Sequence, residues 1–252
     1  MIIFFVLSYY SPVFATGEIK IAIGEWDPYM SEKLPHYGIL VHIITETFKE
    51  VGVNVKYGFF PWTRSYHLAK TGKWHTTGTW GKTEEREKDF YFSDAVHVGE
   101  IVLFYHKDHP IIWTGNLEDL KGLTIGIPSG YGKSVILKKA EKKGFIKYEI
   151  GLKEINVFRQ LARKRFQAID ASKVAGLRLI ETKLSPEERA KIGHTKPIEA
   201  WPYYMLFSKK LKENERFLEL FNKGFRKMKK SGKIDKMWKT FYRGEYASKV
   251  KQ

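Results

Sequence analysis

The residues best suited to chemistry in this 252-residue chain are a few aromatic rings and one arginine set at the ends of predicted elements. Trp26 and Tyr29 lie in Gly24-Glu25-Trp26-Asp27-Pro28-Tyr29, directly after an apolar run at Ile19–Ile23. A loop at the carboxyl end of a strand is where α/β sheets place ligands, and a ring there can stack on one. Trp62 and Arg64 follow Pro61 at the expected start of a helix, where a nearby guanidinium and free amides could hold an anion; Trp62 could equally staple the helix to its sheet. Arg86 carries a planar fork that matches a carboxylate or phosphate and keeps its charge when desolvated, although it stands in a charged run, Glu84–Asp89, that would also suit a surface.

The stretch Ser129-Gly130-Tyr131-Gly132-Lys133-Ser134 nearly matches a nucleotide-binding loop, but Ile127 stands where that motif needs its first glycine. Nucleotide binding is therefore not expected, while amides at this helix start could bind a simpler anion. The chain has no cysteine, which removes disulfides, thiolate metal sites, a cysteine nucleophile and lipid attachment at an N-terminal cysteine. The eight histidines form no metal-ligand spacing, and His106-x-x-His109 reads as a solvated pair. No nucleophile, base and orienter can be assembled, so neither metal nor cofactor nor enzymatic activity is expected.

Alternation of patterns supplies the elements that must position these residues. Ile39–Val51 has helical spacing and Val53–Phe59 alternates as a strand; with the helix after Pro61 the first hundred residues read β-α-β-α-β. Val98–His106 is a strand, and the pattern then restarts with strands at 123–127, 148–150 and 166–170 and helices to Ala140, at 154–163 and at 173–183. A strand at Tyr203–Phe207 and helices at about 212–230 and 234–242 complete the chain. Two α/β units with no low-complexity linker predict a two-lobed α/β fold with a cleft between the lobes.

The sequence has 44 Lys and Arg against 28 Asp and Glu, a net charge of +16. Lys209–Gln252 alone holds fifteen basic and five acidic residues, a solvated helical surface in its simplest reading. The aromatic residues do not interleave with this basic tail, so nucleic acid is not an expected partner. Residues 1–15, MIIFFVLSYYSPVFA, are apolar and end in Val13-Phe14-Ala15, small residues at the places a signal peptidase needs, which predicts an export signal; a buried N-terminal strand is the alternative.

Three stretches, in order, resemble the extracellular solute-binding proteins of family 3, the amino-acid-binding type that serves ABC importers. Thr83-Glu84-Glu85-Arg86 with Phe90-Tyr91-Phe92-Ser93-Asp94 is similar to that family's T-x-x-R…FS-x-P-Y segment, with Ala95-Val96 in place of Pro-Tyr. Asn116–Gly122 with Ile125-Gly126-Ile127 resembles its dLkGk-x-vgv segment, and Phe225–Trp238 its closing G-x-i-x-x-i-x-x-K-W. Pro61-Trp62-x-Arg64 with Gly72-x-Trp74 is similar to a less characterised branch.

The resemblance covers about 18–243. It implies a type II periplasmic-binding-protein-like fold: residues 1–15 a signal peptide, 16–106 and 205–247 the first lobe, 107–204 the second, 248–252 a tail, and hinges near 106–108 and 203–207. It implies that Arg86 grips a ligand carboxylate and that the 129–134 loop assists from the second lobe. In Lys164–Ser172, similar to G-r-x-D-A…D, the position that holds an α-ammonium is Ser172, the first Asp is Gln167, and an Asp appears instead at Asp170. The cleft is thus expected to be lined by Trp26, Tyr29, Trp62, Arg64, Thr79, Trp80 and Arg86 from one lobe, and Tyr131, Asp170 and Ser172 from the other. The function implied is a soluble, monomeric periplasmic protein that delivers a small polar, anionic or amino-acid-like ligand to a membrane ABC permease. A receptor-coupled sensor and a dehydratase-like enzyme of the same fold stand as alternatives.

Overall fold

The computed structural model describes residues 17–129 and 131–246. The expected export signal at 1–15 and the tail at 248–252 lie outside the described residues, as does Gly130 of the near-P-loop.

The chain opens with β1 (Gly17–Ile23), α1 (Ile39–Lys49), β2 (Val53–Phe59), α2 (Trp62–Lys70) and β3 (Thr76–Trp80). A short helix, α3 (Glu84–Asp89), and β4 (Phe90–Phe92) lead into the ten-residue β5 (His97–His106). Then come β6 (Leu123–Pro128), α4 (Val135–Lys142), β7 (Ile146–Gly151), α5 (Glu154–Ala162), β8 (Ala168–Ser172), α6 (Lys173–Lys183), α7 (Pro186–Ala190) and β9 (Ile192–His194). The long β10 (Glu199–Ser208) returns the chain, and α8 (Glu213–Lys230) and α9 (Lys233–Tyr242) close it.

The strands lie in the order β2-β1-β3-β10-β5-β8-β6-β7, with β4 on β10 and β9 on β5. β1 runs parallel to β2 and β3, and β6 parallel to β7 and β8, as right-handed β-α-β crossovers require. The lobes meet at β10. Its first half, Glu199–Tyr203, pairs with β5, and its second half pairs with β3 and β4, with a register shift between Tyr204 and Leu206.

β5 runs between the lobes: Ile101–Tyr105 pair with β8 and Phe104–His106 with β9, while His97 stacks on Trp238 at 4.8 Å. An apolar run shows that a strand exists but not which neighbours complete its hydrogen bonds. His106, expected to be solvated, is 5% exposed because it sits between β9 and the turn at Asp108.

Each lobe has its own core. In the first, the apolar stripe of α1 and the β1 side chains are covered by α8, whose Phe217, Phe221, Phe225 and Met228 recur at helical spacing and are all buried. Phe221 packs its ring 5.1 Å from Phe48. In the second, α5 and α6 cover one face of the sheet through Phe104, Phe158 and Leu161, and α4 covers the other through Leu137 and Ala140. An ion pair between Asp27 after β1 and Arg178 on α6 (3.3 Å) links the lobes. Among the described residues no helix is long and apolar enough to cross a membrane.

Candidate functional site

A cavity of about 120 Å³ lies between the lobes, and four tryptophans (26, 62, 80 and 201) and two tyrosines (131 and 203) line it. Of the ten residues expected at the cleft, Trp26, Trp62, Thr79, Trp80, Arg86, Tyr131, Asp170 and Ser172 line this cavity.

Tyr29 and Arg64 do not. Tyr29 is 2% exposed and packs into the first-lobe core, with its ring 4.6 Å from Trp26 and 6.0 Å from Phe241. Burial drives its phenol pKa far up. Arg64 lies on the exposed side of α2, with its guanidinium 5.3 Å from the Phe60 ring. Residues two apart on a helix point about 200° apart, so Arg64 cannot share the face that aims Trp62 at the cleft.

The ring planes are set by contacts with backbone. Trp62 lies over Gly24, where an added Cβ would come within 2.5 Å of the indole, and its Nε1 donates to the Glu25 carbonyl at 3.0 Å. Trp201 lies against Gly81 in the same way, at 2.3 Å. Trp80 meets Trp62 edge to face at 5.1 Å and donates through Nε1 to Thr77 Oγ1. Thr79, beside the β10 register shift, has φ 56°, a left-handed conformation that a β-branched residue rarely adopts and that marks local strain at the cleft.

Arg86 is presented by α3. Thr83 caps that helix, its Oγ1 accepting from the Arg86 amide at 3.3 Å, which is the local reason for the Thr-x-x-Arg spacing. The Arg86 guanidinium stands 4.7 Å from the Trp80 ring centre, and Nη1 donates to the Gly81 carbonyl at 2.7 Å. No carboxylate among the described residues forms an ion pair with it, and burial lowers its pKa from the arginine value.

The second lobe supplies two acids. Asp170, on β8, is 8% exposed, and its Oδ2 accepts from the Ser134 amide at 3.2 Å. Burial, with Glu199 nearby, pushes its carboxyl up to about 7. Glu154, the first residue of α5, accepts from the Tyr131 hydroxyl at 3.1 Å, and burial raises its pKa as well. Ser172 is buried, with its hydroxyl beside the Tyr29 phenol.

Of the amides in the 129–134 turn, those of Ser129, Tyr131 and Ser134 are taken by the Gly151 carbonyl, the Pro128 carbonyl and Asp170, and just beyond the turn those of Ile136 and Leu137 go to Glu199 and the Ser134 hydroxyl. Acids folded back onto this helix start satisfy the donors that an external anion would otherwise use.

Glu154, Trp201, Tyr203, Gly81 and Ile101 also line the cavity and were not singled out in the sequence as ligand contacts. Glu154 follows the carboxyl end of β7, and Trp201-Pro202-Tyr203 sits on the crossing strand, so position relative to the sheet was the signal that could have found them.

No functionally curated protein matches this sequence. Solved structures match it over most of its length. An ancestral arginine-binding protein bound to arginine shares 22% identity and a TM-score of 0.71, over 90% of this chain and 98% of that one. A histidine kinase sensor domain with similarity to periplasmic binding proteins shares 15% identity and a TM-score of 0.69, over 91% and 96%. The ancestral amino-acid-binding protein AncCDT-1, a precursor of cyclohexadienyl dehydratase, shares 18% identity and a TM-score of 0.65, over 88% and 94%. Likeness at these identities establishes the two-lobed binding-protein fold. A sequence model of the bacterial extracellular solute-binding proteins, family 3, matches residues 19–244, and the chain belongs to that family.

Proposed function

We propose that this protein is an exported, monomeric solute-binding protein that captures a small polar, amino-acid-like ligand between its lobes and delivers it to an ABC-type importer. The observation that carries the reading is that one cavity is lined by a guanidinium without an ion-pair partner, Arg86 from the first lobe, and a buried carboxyl without a cation, Asp170 from the second. A guanidinium held over an indole with no carboxylate of its own suits a ligand carboxylate. A buried acid without a cation suits an ammonium, which would restore its ionised form. Asp170 thus takes over the task that the family pattern gives to the position of Ser172, two residues along the same face of β8. A ligand holding both charges bridges the lobes and favours their closed arrangement, because only that arrangement offers both contacts.

Residues 1–15 then serve as the cleaved signal, the mature chain works in the periplasm without a lipid anchor, and the ligand-binding set is Trp26, Trp62, Thr79, Trp80, Arg86, Tyr131, Asp170 and Ser172. The relative bound to arginine is in keeping with an amino-acid-like ligand. A thermal-shift screen over amino acids, organic acids and small peptides tests the reading, since a ligand that binds only the folded state raises its melting temperature. Hits that bind Arg86→Ala as tightly as the parent would overturn it.

One observation favours a catalytic reading. An aspartic acid poised near 7 in a closed cleft can donate a proton at neutral pH, and a dehydratase precursor shares the fold. Turnover of a hit from the same screen, lost in Asp170→Asn, would establish it.

A further inference from the structure

An amino acid with a neutral side chain leaves the charges of this cleft unbalanced. It uses Arg86 through its carboxylate and Asp170 through its ammonium, and Glu154 remains. Glu154 lines the same cavity. Its neighbours Leu152 and Lys153 are exposed, whereas its own side chain turns inward to accept from the Tyr131 hydroxyl at 3.1 Å. No lysine or arginine forms an ion pair with Glu154 among the described residues, and burial raises its pKa without any opposing cation. A first-turn position on α5 already suits an acid, yet that task would be met with the carboxylate in solvent.

The rings around it favour the same ligand chemistry. Indole and phenol faces attract cations, and Trp26, Trp201, Tyr131 and Tyr203 line the cavity that Glu154 borders. The Arg86–Trp80 contact, 4.7 Å from guanidinium carbon to ring centre, is one such pairing within the site.

We propose that Glu154, oriented by Tyr131, is a subsite for a second cationic group, so that the cleft selects an amino acid whose side chain carries an amino, guanidino or alkylated ammonium group over its neutral counterparts. The inference rests on the cleft being the capture site proposed above. Such a side chain gives the remaining buried carboxylate its counter-ion, and a neutral side chain leaves it without one.

Calorimetry on the full chain with L-arginine, L-lysine and L-citrulline, the last a neutral counterpart of arginine, tests this. Arginine or lysine should bind at least about tenfold more tightly than citrulline, since an unmatched buried charge costs that much or more. Glu154→Gln should remove this preference, weakening the cationic ligand about tenfold or more and leaving citrulline within about threefold. Tyr131→Phe, which keeps the carboxylate but frees its orientation, should reduce the preference partway. Matching thermal melts for Glu154→Gln and the parent would set aside a folding defect. Equal affinity for arginine and citrulline, no binding of any of the three, or a Glu154→Gln loss equal for both would overturn the subsite. If other amino acids or organic acids then bind and lose affinity in Arg86→Ala, the capture reading survives without the subsite. If no solute depends on Arg86, both fail.

Discussion

The Arg86 guanidinium stands 4.7 Å from the centre of the Trp80 ring while its Nη1 holds the Gly81 carbonyl at 2.7 Å. One donor fixes the side chain, the ring supports the plane of the fork, and the remaining donors face a cavity without a carboxylate partner. Arg86→Ala should cost on the order of 2–5 kcal/mol in affinity for any anionic ligand found by screening, because the anion loses its desolvated counter-charge. Arg86→Lys should recover little, since an ammonium can neither span a carboxylate nor lie flat on an indole. Both variants should melt as the parent does, and calorimetry reads the difference in binding.

Asp170 makes stability depend on pH in an unusual direction for an aspartate. Its carboxyl titrates at about 7 in the folded protein against 3.8 when unperturbed, so folding favours the neutral form. The stability gained by staying neutral is complete below about pH 4 and is lost as pH rises through 7, on the order of 4 kcal/mol by linkage. His97, drawn down to about 4 by burial, works in the opposite sense, losing its contribution as pH falls from 6.5 towards 4. The informative quantity is therefore the difference between parent and Asp170→Asn in urea melts from pH 4 to 8. Relative to the variant, the parent should lose stability as pH rises through that window, and a pH-independent difference would refute the assignment. Affinity for an ammonium-bearing ligand should rise over the same interval.

At Gly81 the indole of Trp201 leaves no room for a side chain. Gly81→Ala should force the ring away, cost about 1–3 kcal/mol of stability and shift tryptophan emission. It should also weaken binding, because Trp201 lines the cavity and rests on Gly81, whose carbonyl holds Arg86. Denaturant midpoints and fluorescence titration check the two effects separately.

Phe221 is fully buried between Phe48, Phe207 and Phe225, away from the cleft. Phe221→Ala should destabilise by about 3–5 kcal/mol, seen as a lower urea midpoint, and leave the affinity of the folded fraction unchanged.

Much of the architecture was legible because periodicity is a local property. The stripe of α1, the alternation of β2 and the glycine stops between them predict elements close to those observed. Arg86 was legible through its resemblance to the T-x-x-R segment, and the local cause of that spacing, Thr83 capping the short helix that presents the arginine, emerged only in the structure. What could not be read depended on neighbours distant in sequence. Tyr29 looked like Trp26, and only the arrival of Phe241 and Trp238 from the far end of the chain takes it into the core. The amides of Ser134 and Ile136 looked free until Asp170 and Glu199 folded back onto them. Glu154 carried no motif and became notable only when the fold turned it towards the cavity with its hydroxyl donor, Tyr131, and no paired lysine or arginine among the described residues.

The helix α8 has a consequence for the order in which the protein can assemble. β1 and α1 precede the second lobe in the chain, yet the phenylalanines that seal their apolar faces are on α8, which follows the whole of that lobe. Contacts so remote along the chain form late and slowly. The second lobe, continuous in sequence from β5 to β9, can collapse on contacts within one stretch, whereas the lobe bearing Trp26, Trp62 and Arg86 stays unsealed until α8 docks across it. Half of the cleft is thus completed late, and the protein gains its grip on a solute only when that long-range contact has closed.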